Sequence, residues 1–148
     1  MLTRKSRVAS GNKDLRRQAE VAAEWYLREI LHCVHVRRAV RSKWHKVDFF
    51  GADLVGKVDS GAHVYAQVTT GGSSCVSVRR KELAGFPWHE SDIVLLLNLV
   101  ATESPAKGRR KEYWFRFEEF ELTGAGRKWQ DWESVVPVPP EWFHRWHN

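Results

Sequence analysis

A few oxygen-bearing side chains stand at spacings that could bring them to one point. Asp53 opens the apolar run Asp53-Leu54-Val55-Gly56-Lys57. Thirteen residues separate it from Gln67, near the end of the alternating run His63-Val64-Tyr65-Ala66-Gln67-Val68-Thr69. Asp59-Ser60-Gly61 supplies turn chemistry between the two runs, so together they read as a β-hairpin that sets positions 53 and 67 side by side. A carboxylate and an amide oxygen so placed could share one divalent cation, because magnesium takes oxygen ligands and keeps several waters. Such a cation polarises a phosphodiester and generates hydroxide near neutral pH. Upstream, Glu20 and Glu24 lie four residues apart and so share one helix face, where either could add a carboxylate. For Asp48 the turn-capping role is favoured, since Asx turns suit its position before Phe49-Phe50-Gly51.

The elements that must position these groups are legible as periodicities. Leu15, Ala19, Ala22, Tyr26 and Ile30 recur at three- and four-residue spacing, which predicts a helix from Lys13 to about Leu31, with Arg16, Arg17, Gln18 and Arg28 largely off the apolar stripe. Cys33-Val34-His35-Val36 reads as a first strand, and Arg37 to Lys46 as a basic connection. After the hairpin, Thr70-Gly71-Gly72-Ser73-Ser74 is a loop with a serine as helix cap, and Cys75 to about Ala84 a short helix ended by Gly85 and Pro87. Ile93 to Val100 is a continuous apolar run, expected to be a strand buried on both faces. Thr102 to Arg110 reads as a loop and Glu112 to Leu122 as an aromatic-rich strand. The region from Trp114 onward holds five of the eight tryptophans, Trp114, Trp129, Trp132, Trp142 and Trp146, with prolines keeping part of it extended. The order helix, three strands, helix, strand, strand fits an α/β domain: a mixed central sheet flanked by helices.

Composition narrows the classes. The 148 residues suit one domain (13–148) behind a basic arm (1–12), and 43% apolar residues are enough for a core. No run approaches the roughly 18 apolar residues of a spanning helix, and no apolar stretch follows the basic N-terminus, so an intracellular, cytoplasmic location is expected. Residues 1–46 carry 12 Lys+Arg against 4 Asp+Glu (net +8), and residues 47–148 carry 12 against 14 (net −2), which together give the chain's +6. A basic first third suggests a polyanion as partner. Cys33 and Cys75 form no Cys-x-x-Cys pair and are expected to be small buried residues.

The pattern resembles the PD-(D/E)XK nuclease superfamily, and within it the small Holliday-junction-resolvase-like members, over roughly residues 11 to 101. In that family a helix supplies a glutamate, a strand begins with the aspartate, and the next strand carries E-x-K or Q-x-K. Here Asp53-Leu54-Val55 matches the aspartate strand, Gln67-Val68-Thr69 the third motif, and Glu20 the helical glutamate, with Glu24 as the alternative. The resemblance implies a restriction-endonuclease-like fold with an αβββαβ core and an Mg²⁺- or Mn²⁺-dependent DNA endonuclease. Asp53, Gln67 and the backbone carbonyl of Val68 would hold the metal. Junction-resolving relatives act as symmetric dimers, so a homodimer is expected, with the aromatic tail as candidate interface; family habit implies a phage or bacterial origin. Thr69 departs from the pattern, since it stands where the family has a lysine that positions the attacking water and offsets negative charge. Lys81, Arg80 and Arg79 on the following helix are the nearest replacements.

Arg37, Arg38, Arg41, Lys43 and Lys46, with Trp44 among them, form a basic stretch suited to phosphates and to stacking on an unpaired base or sugar. Arg109, Arg110 and Lys111 make a weaker patch. The histidine pairs His32/His35 and His144/His147 lack Cys or carboxylate partners at zinc spacing. No nucleophile elbow and no phosphate-binding P-loop is present. Three functions therefore stand: a structure-selective endonuclease acting on branched or duplex DNA, a nucleic-acid-binding module of the same fold that lost the chemistry with the lysine, or an interaction protein whose exposed tryptophans bind another protein.

Overall fold

A computed structural model describes residues 13–41, 46–47, 51–103, 113–123 and 127–135. Helix α1 (Lys13–Trp25) runs into a π-helical turn, Tyr26–Ile30. Strand β1 (Val34–Arg38) follows, then a two-stranded ribbon of β2 (Val40–Arg41) and β3 (Lys46–Val47). Next come β4 (Leu54–Lys57), β5 (His63–Thr69), helix α2 (Ser73–Ala84), β6 (Ile93–Glu103), β7 (Tyr113–Thr123) and β8 (Lys128–Val135). The main sheet has six strands in the order β1-β4-β5-β6-β7-β8; only the β5–β6 pair is parallel. The chain is thus α/β, a mixed sheet with one helix on each face. Among the described residues, no helix is long and apolar enough to cross a membrane.

Helix α1 covers one face. Leu15, Ala19, Ala22, Ala23 and Tyr26 pack with Leu54, Val64, Ala66, Leu95, Leu97, Leu99 and Phe117. From Leu15 to Leu27 every α1 side chain is buried except Arg16, Arg17 and Glu20. The expected stripe holds through Tyr26, but Ile30 is exposed, because the helix widens first. Leu31 N–H donates to the Tyr26 carbonyl (3.0 Å) and Cys33 N–H to the Leu27 carbonyl (2.8 Å), a bond pattern that inserts an extra residue into the turn. The Tyr26 ring stacks on Phe117 with centroids 4.5 Å apart, and its hydroxyl donates to Oε1 of buried Glu119 (2.8 Å).

Helix α2 covers the other face through Val76 and Leu83, against Val94, Leu96 and Leu122, with Phe120, Trp88 and Trp129 alongside. Strand β6 alternates between the two cores, and every side chain from Val94 to Leu99 is buried, as its apolar run predicts.

Several expectations change. Arg37 to Lys46, expected as a connection, holds the end of β1 and residues of the β2–β3 ribbon, and Thr102 and Glu103, expected in a loop, end β6. Residues 128–135, assigned no element from the sequence, form β8, antiparallel to β7 from Thr123↔Lys128 to Arg116↔Val135. Trp129 and Trp132 stand three apart among charged residues, so this edge strand shows no period-two apolar signal. Helix α2 begins at Ser73 with Gly72 in the cap position and no side-chain cap bond. Cys75 is exposed, while Cys33 is buried and its thiol pKa pushed up by that burial. Asp48, Lys43, Trp44, Arg109, Arg110, Lys111, Trp142 and Trp146 lie outside the described residues, as do the side chains of Arg41, Lys46, Trp114 and Trp132.

Candidate metal and nucleic-acid site

Strands β4 and β5 form the expected hairpin, paired from Lys57↔His63 to Leu54↔Ala66. Asp53 continues the pairing by donating its N–H to the Ala66 carbonyl (2.9 Å), while its own carbonyl accepts from Ala39 N–H (2.8 Å). Its backbone is thus clamped between two strands and its carboxylate aimed at β5. There Oδ2 accepts from the Gln67 side-chain amide (Nε2, 2.9 Å) and from the Val68 backbone N–H (2.8 Å). Gln67 Nε2 also lies 3.4 Å from the Val68 carbonyl oxygen. The carboxylate and that carbonyl therefore converge on one point, which the amide nitrogen takes.

This cluster lies in a cleft of about 950 Å³ lined by the first turns of α1 and by one face of α2. Helix α1 contributes Arg16, Arg17 and Glu20; α2 contributes Ser74, Cys75, Val78, Arg79 and Glu82. Among the described side chains of α1, the exposed ones, Arg16, Arg17 and Glu20, all line this cleft. Arg16 and Arg17 were read only as lying off the apolar stripe; their i, i+4 and i, i+3 spacing to Glu20 is the signal that places all three on one helix face. Thr69 is also in the cleft, and its hydroxyl accepts from Gly71 N–H (3.2 Å), so it shapes the loop into α2.

The two helical glutamates separate cleanly. Glu20 lines the cleft and keeps about half its side-chain exposure, with Arg38 Nη1 4.0 Å away. Glu24 is buried; its carboxylate accepts from Arg38 Nε (3.1 Å) and faces Arg28 Nε at 3.6 Å. Glu24 therefore does not line the cleft, but it holds Arg38, which does. A register shift between Val34 and Arg37, with His35 at φ +54°, turns β1 locally. Bulges of this kind re-aim side chains, here just ahead of Arg38.

The cations expected on α2 split by helix face. Arg79 lines the cleft and pairs with Glu82 (2.8 Å). Arg80 points to the opposite side, its guanidinium 4.8 Å from the Phe120 ring centroid and 5.5 Å from that of Trp129, with Asp131 at 3.4 Å. Lys81 is exposed and lines neither the cleft nor the recess beside it. Successive helical residues are rotated by about 100°, so one turn cannot aim all three at one phosphate. Arg37 is exposed outside the cleft, near enough to Tyr65 to oppose the rise in that phenol's pKa, which burial and, next, Asp92 produce.

Among the described residues no three His, Cys, Asp or Glu side chains cluster to hold a metal. The cleft is lined by the carboxylates of Glu20, Asp53 and Glu82, by the Gln67 amide, whose nitrogen faces Asp53, and by Val68, whose carbonyl lies beside that nitrogen. With the amide turned to present its oxygen, Asp53, Gln67 and Val68 would offer oxygen donors of the kind a hard cation takes while it retains waters. No family model, curated protein or solved structure matches the chain.

Proposed function

We propose that this chain is a divalent-metal-dependent DNA endonuclease of the PD-(D/E)XK type, with a restriction-endonuclease-like αβββαβ core formed by α1, β1, β4, β5, α2 and β6. The observation that carries this assignment is the convergence of the Asp53 carboxylate and the Val68 carbonyl on Gln67 Nε2, within 3.4 Å, in a cleft that also holds Glu20 and four arginines. A half-turn of the Gln67 amide exchanges its nitrogen for its oxygen. Asp53, Gln67 and Val68, with Glu20 beside them, would then hold Mg²⁺ or Mn²⁺. Bound there, the cation supplies Lewis-acid activation and a water of lowered pKa. Arg16 and Arg17 bind backbone phosphates on the α1 side. Arg38, fixed by Glu24, and Arg79 face the reacting phosphate and stabilise its growing charge; Arg79 is one of the three cations the sequence offered for this part, beside Lys81 and Arg80. The N-terminal turn of α2 adds its positive end to the same cleft.

The preferred substrate on this view is branched DNA of the Holliday-junction kind, cut by a two-fold homodimer in the cytoplasm. A second assignment, a binding module without chemistry, is favoured by two observations: Gln67 donates to Asp53, and among the described residues no lysine lines the cleft.

The test is incubation with a four-way junction, duplex and single-stranded DNA in Mg²⁺, Mn²⁺ or EDTA, beside Asp53→Asn. Mn²⁺ binding to both proteins is measured separately by titration. Metal-dependent cleavage and Mn²⁺ binding that both vanish in the variant are expected. Equal cleavage by the two proteins would refute the assignment, and junction binding without cleavage would favour the binding module.

A further inference from the structure

Beside the cleft lies a smaller recess of about 320 Å³ lined by Gly51, Gln67, Arg79, Glu82, Leu83 and Phe86. It shares Gln67, Arg79 and Glu82 with the cleft, so the two spaces meet at Gln67, the partner of Asp53. Building on the nuclease assignment above, we propose that this recess is a subsite for one unpaired nucleobase, next to the phosphate held at Asp53 and Gln67.

One wall is a presented aromatic ring. Phe86 keeps 38% of its exposure, so part of its ring is open to a ligand in the recess. It is not loose. Its ring lies over the backbone of Gly51, where an added Cβ would sit 3.5 Å from Cε2, and edge-on to Trp88 with centroids 6.0 Å apart. Trp88 in turn is fixed by its indole N–H donating to the Leu83 carbonyl (2.6 Å) and by Tyr65, centroids 4.9 Å apart. Gly51 has φ +86°, a backbone region L side chains rarely adopt, so position 51 favours the one residue that puts no side chain into this space.

The other wall is the Arg79–Glu82 pair, which offers guanidinium donors beside carboxylate acceptors. A purely apolar ligand would leave that pair unanswered, and a phosphate would meet Glu82 and a benzene face. A flat heteroaromatic ring with donors and acceptors along its edge satisfies both walls, and a nucleobase is such a ring. The base must be unpaired, because a base inside a duplex has both faces stacked and its pairing edge occupied. The recess therefore selects DNA in which the nucleotide beside the scissile phosphate is single-stranded or can leave the stack.

The test uses the full chain in EDTA, so that cleavage plays no part. The probe is 2-aminopurine placed in a single strand, in a continuous duplex, and as a one-nucleotide bulge in that duplex; anisotropy gives affinity and base emission reports stacking. Wild type is expected to bind the strand and the bulge more tightly than the duplex and to quench the probe in both. Phe86→Ala should weaken those two by about 5- to 150-fold and the duplex by less than about twofold, since base–aromatic stacking is sequence-tolerant but needs a free base face. Phe86→Leu, which keeps the apolar contact with Trp88, should behave like Phe86→Ala, and Phe86→Trp should restore binding. Equal weakening of all three DNAs, or unchanged binding and emission in Phe86→Leu, overturns the subsite. Cleavage with Mg²⁺ beside Asp53→Asn decides the nuclease assignment separately. A cleaving enzyme indifferent to Phe86 loses only the subsite, whereas Phe86-dependent binding without cleavage loses only the nuclease. No DNA binding by wild type ends both.

Discussion

Replacing Glu24 by Gln probes how Arg38 is held in the cleft. The Glu24 side chain retains 3% of its exposure and meets Arg38 Nε at 3.1 Å and Arg28 Nε at 3.6 Å. Removing one partner of a buried ion pair costs roughly 3–5 kcal/mol, because the other charge stays buried. Here Arg38 and Arg28 keep 31% and 38% of their side-chain exposure. Each can recover water and the amide acceptor survives, so the cost falls below that range, to about 2–3 kcal/mol. For a chain of this size each kcal/mol moves Tm by roughly 2–4 °C, so a fall of about 5–10 °C is expected. Thermal and urea unfolding of wild type, Glu24→Gln, Arg38→Met and the double variant at pH 7 gives the coupling, expected at about 1–2 kcal/mol. Coupling below about 0.5 kcal/mol would mean that Glu24 does not fix Arg38, and the positioning role would fall.

Burial, foremost, raises the Glu119 pKa; the Tyr26 hydrogen bond opposes the rise and Glu121 adds to it. A raised pKa gives stability that is full below the unfolded value and is lost as pH rises through the folded one. Glu119→Gln should therefore gain on wild type as pH is raised from the ordinary glutamate range, and unfolding midpoints measured across that range would show a gap that widens upward; a gap constant with pH would contradict it. Gly56→Ala should destabilise by about 1 kcal/mol in urea unfolding, since the new Cβ would lie 3.0 Å from Cys33 Cβ and 3.3 Å from Val36 Cγ2. Arg16→Ala with Arg17→Ala should lower the dependence of log K on log salt for duplex DNA by about 1 to 2, as each lost phosphate contact removes close to one counterion; an unchanged slope would remove α1 from the DNA interface.

Much of this architecture was written in local pattern. The period of Leu15, Ala19, Ala22 and Tyr26, the alternation of β5, the unbroken apolar run of β6 and the turn at Asp59-Ser60-Gly61 depend on neighbours a few residues away, so they can be read along the chain. The side-by-side placement of Asp53 and Gln67 follows from the same local hairpin, and their contact is direct at 2.9 Å. Strand β8 left no such trace, because an edge strand needs only one partner and can carry charges along its length.

Sequence alone determined both helices, the strands up to β7 other than the β2–β3 ribbon, and the Asp53–Gln67 pairing, because hydrogen-bond periodicity and hairpin length are local quantities. Only the tertiary structure decided between Glu20 and Glu24, sent Arg80 onto Phe120 and Trp129, left Lys81 outside the cleft, and brought Phe86 beside Gln67. Those outcomes depend on which face each helix turns to the sheet. Burial of apolar side chains far apart in the chain sets that, and the charged groups follow wherever the packing leaves them.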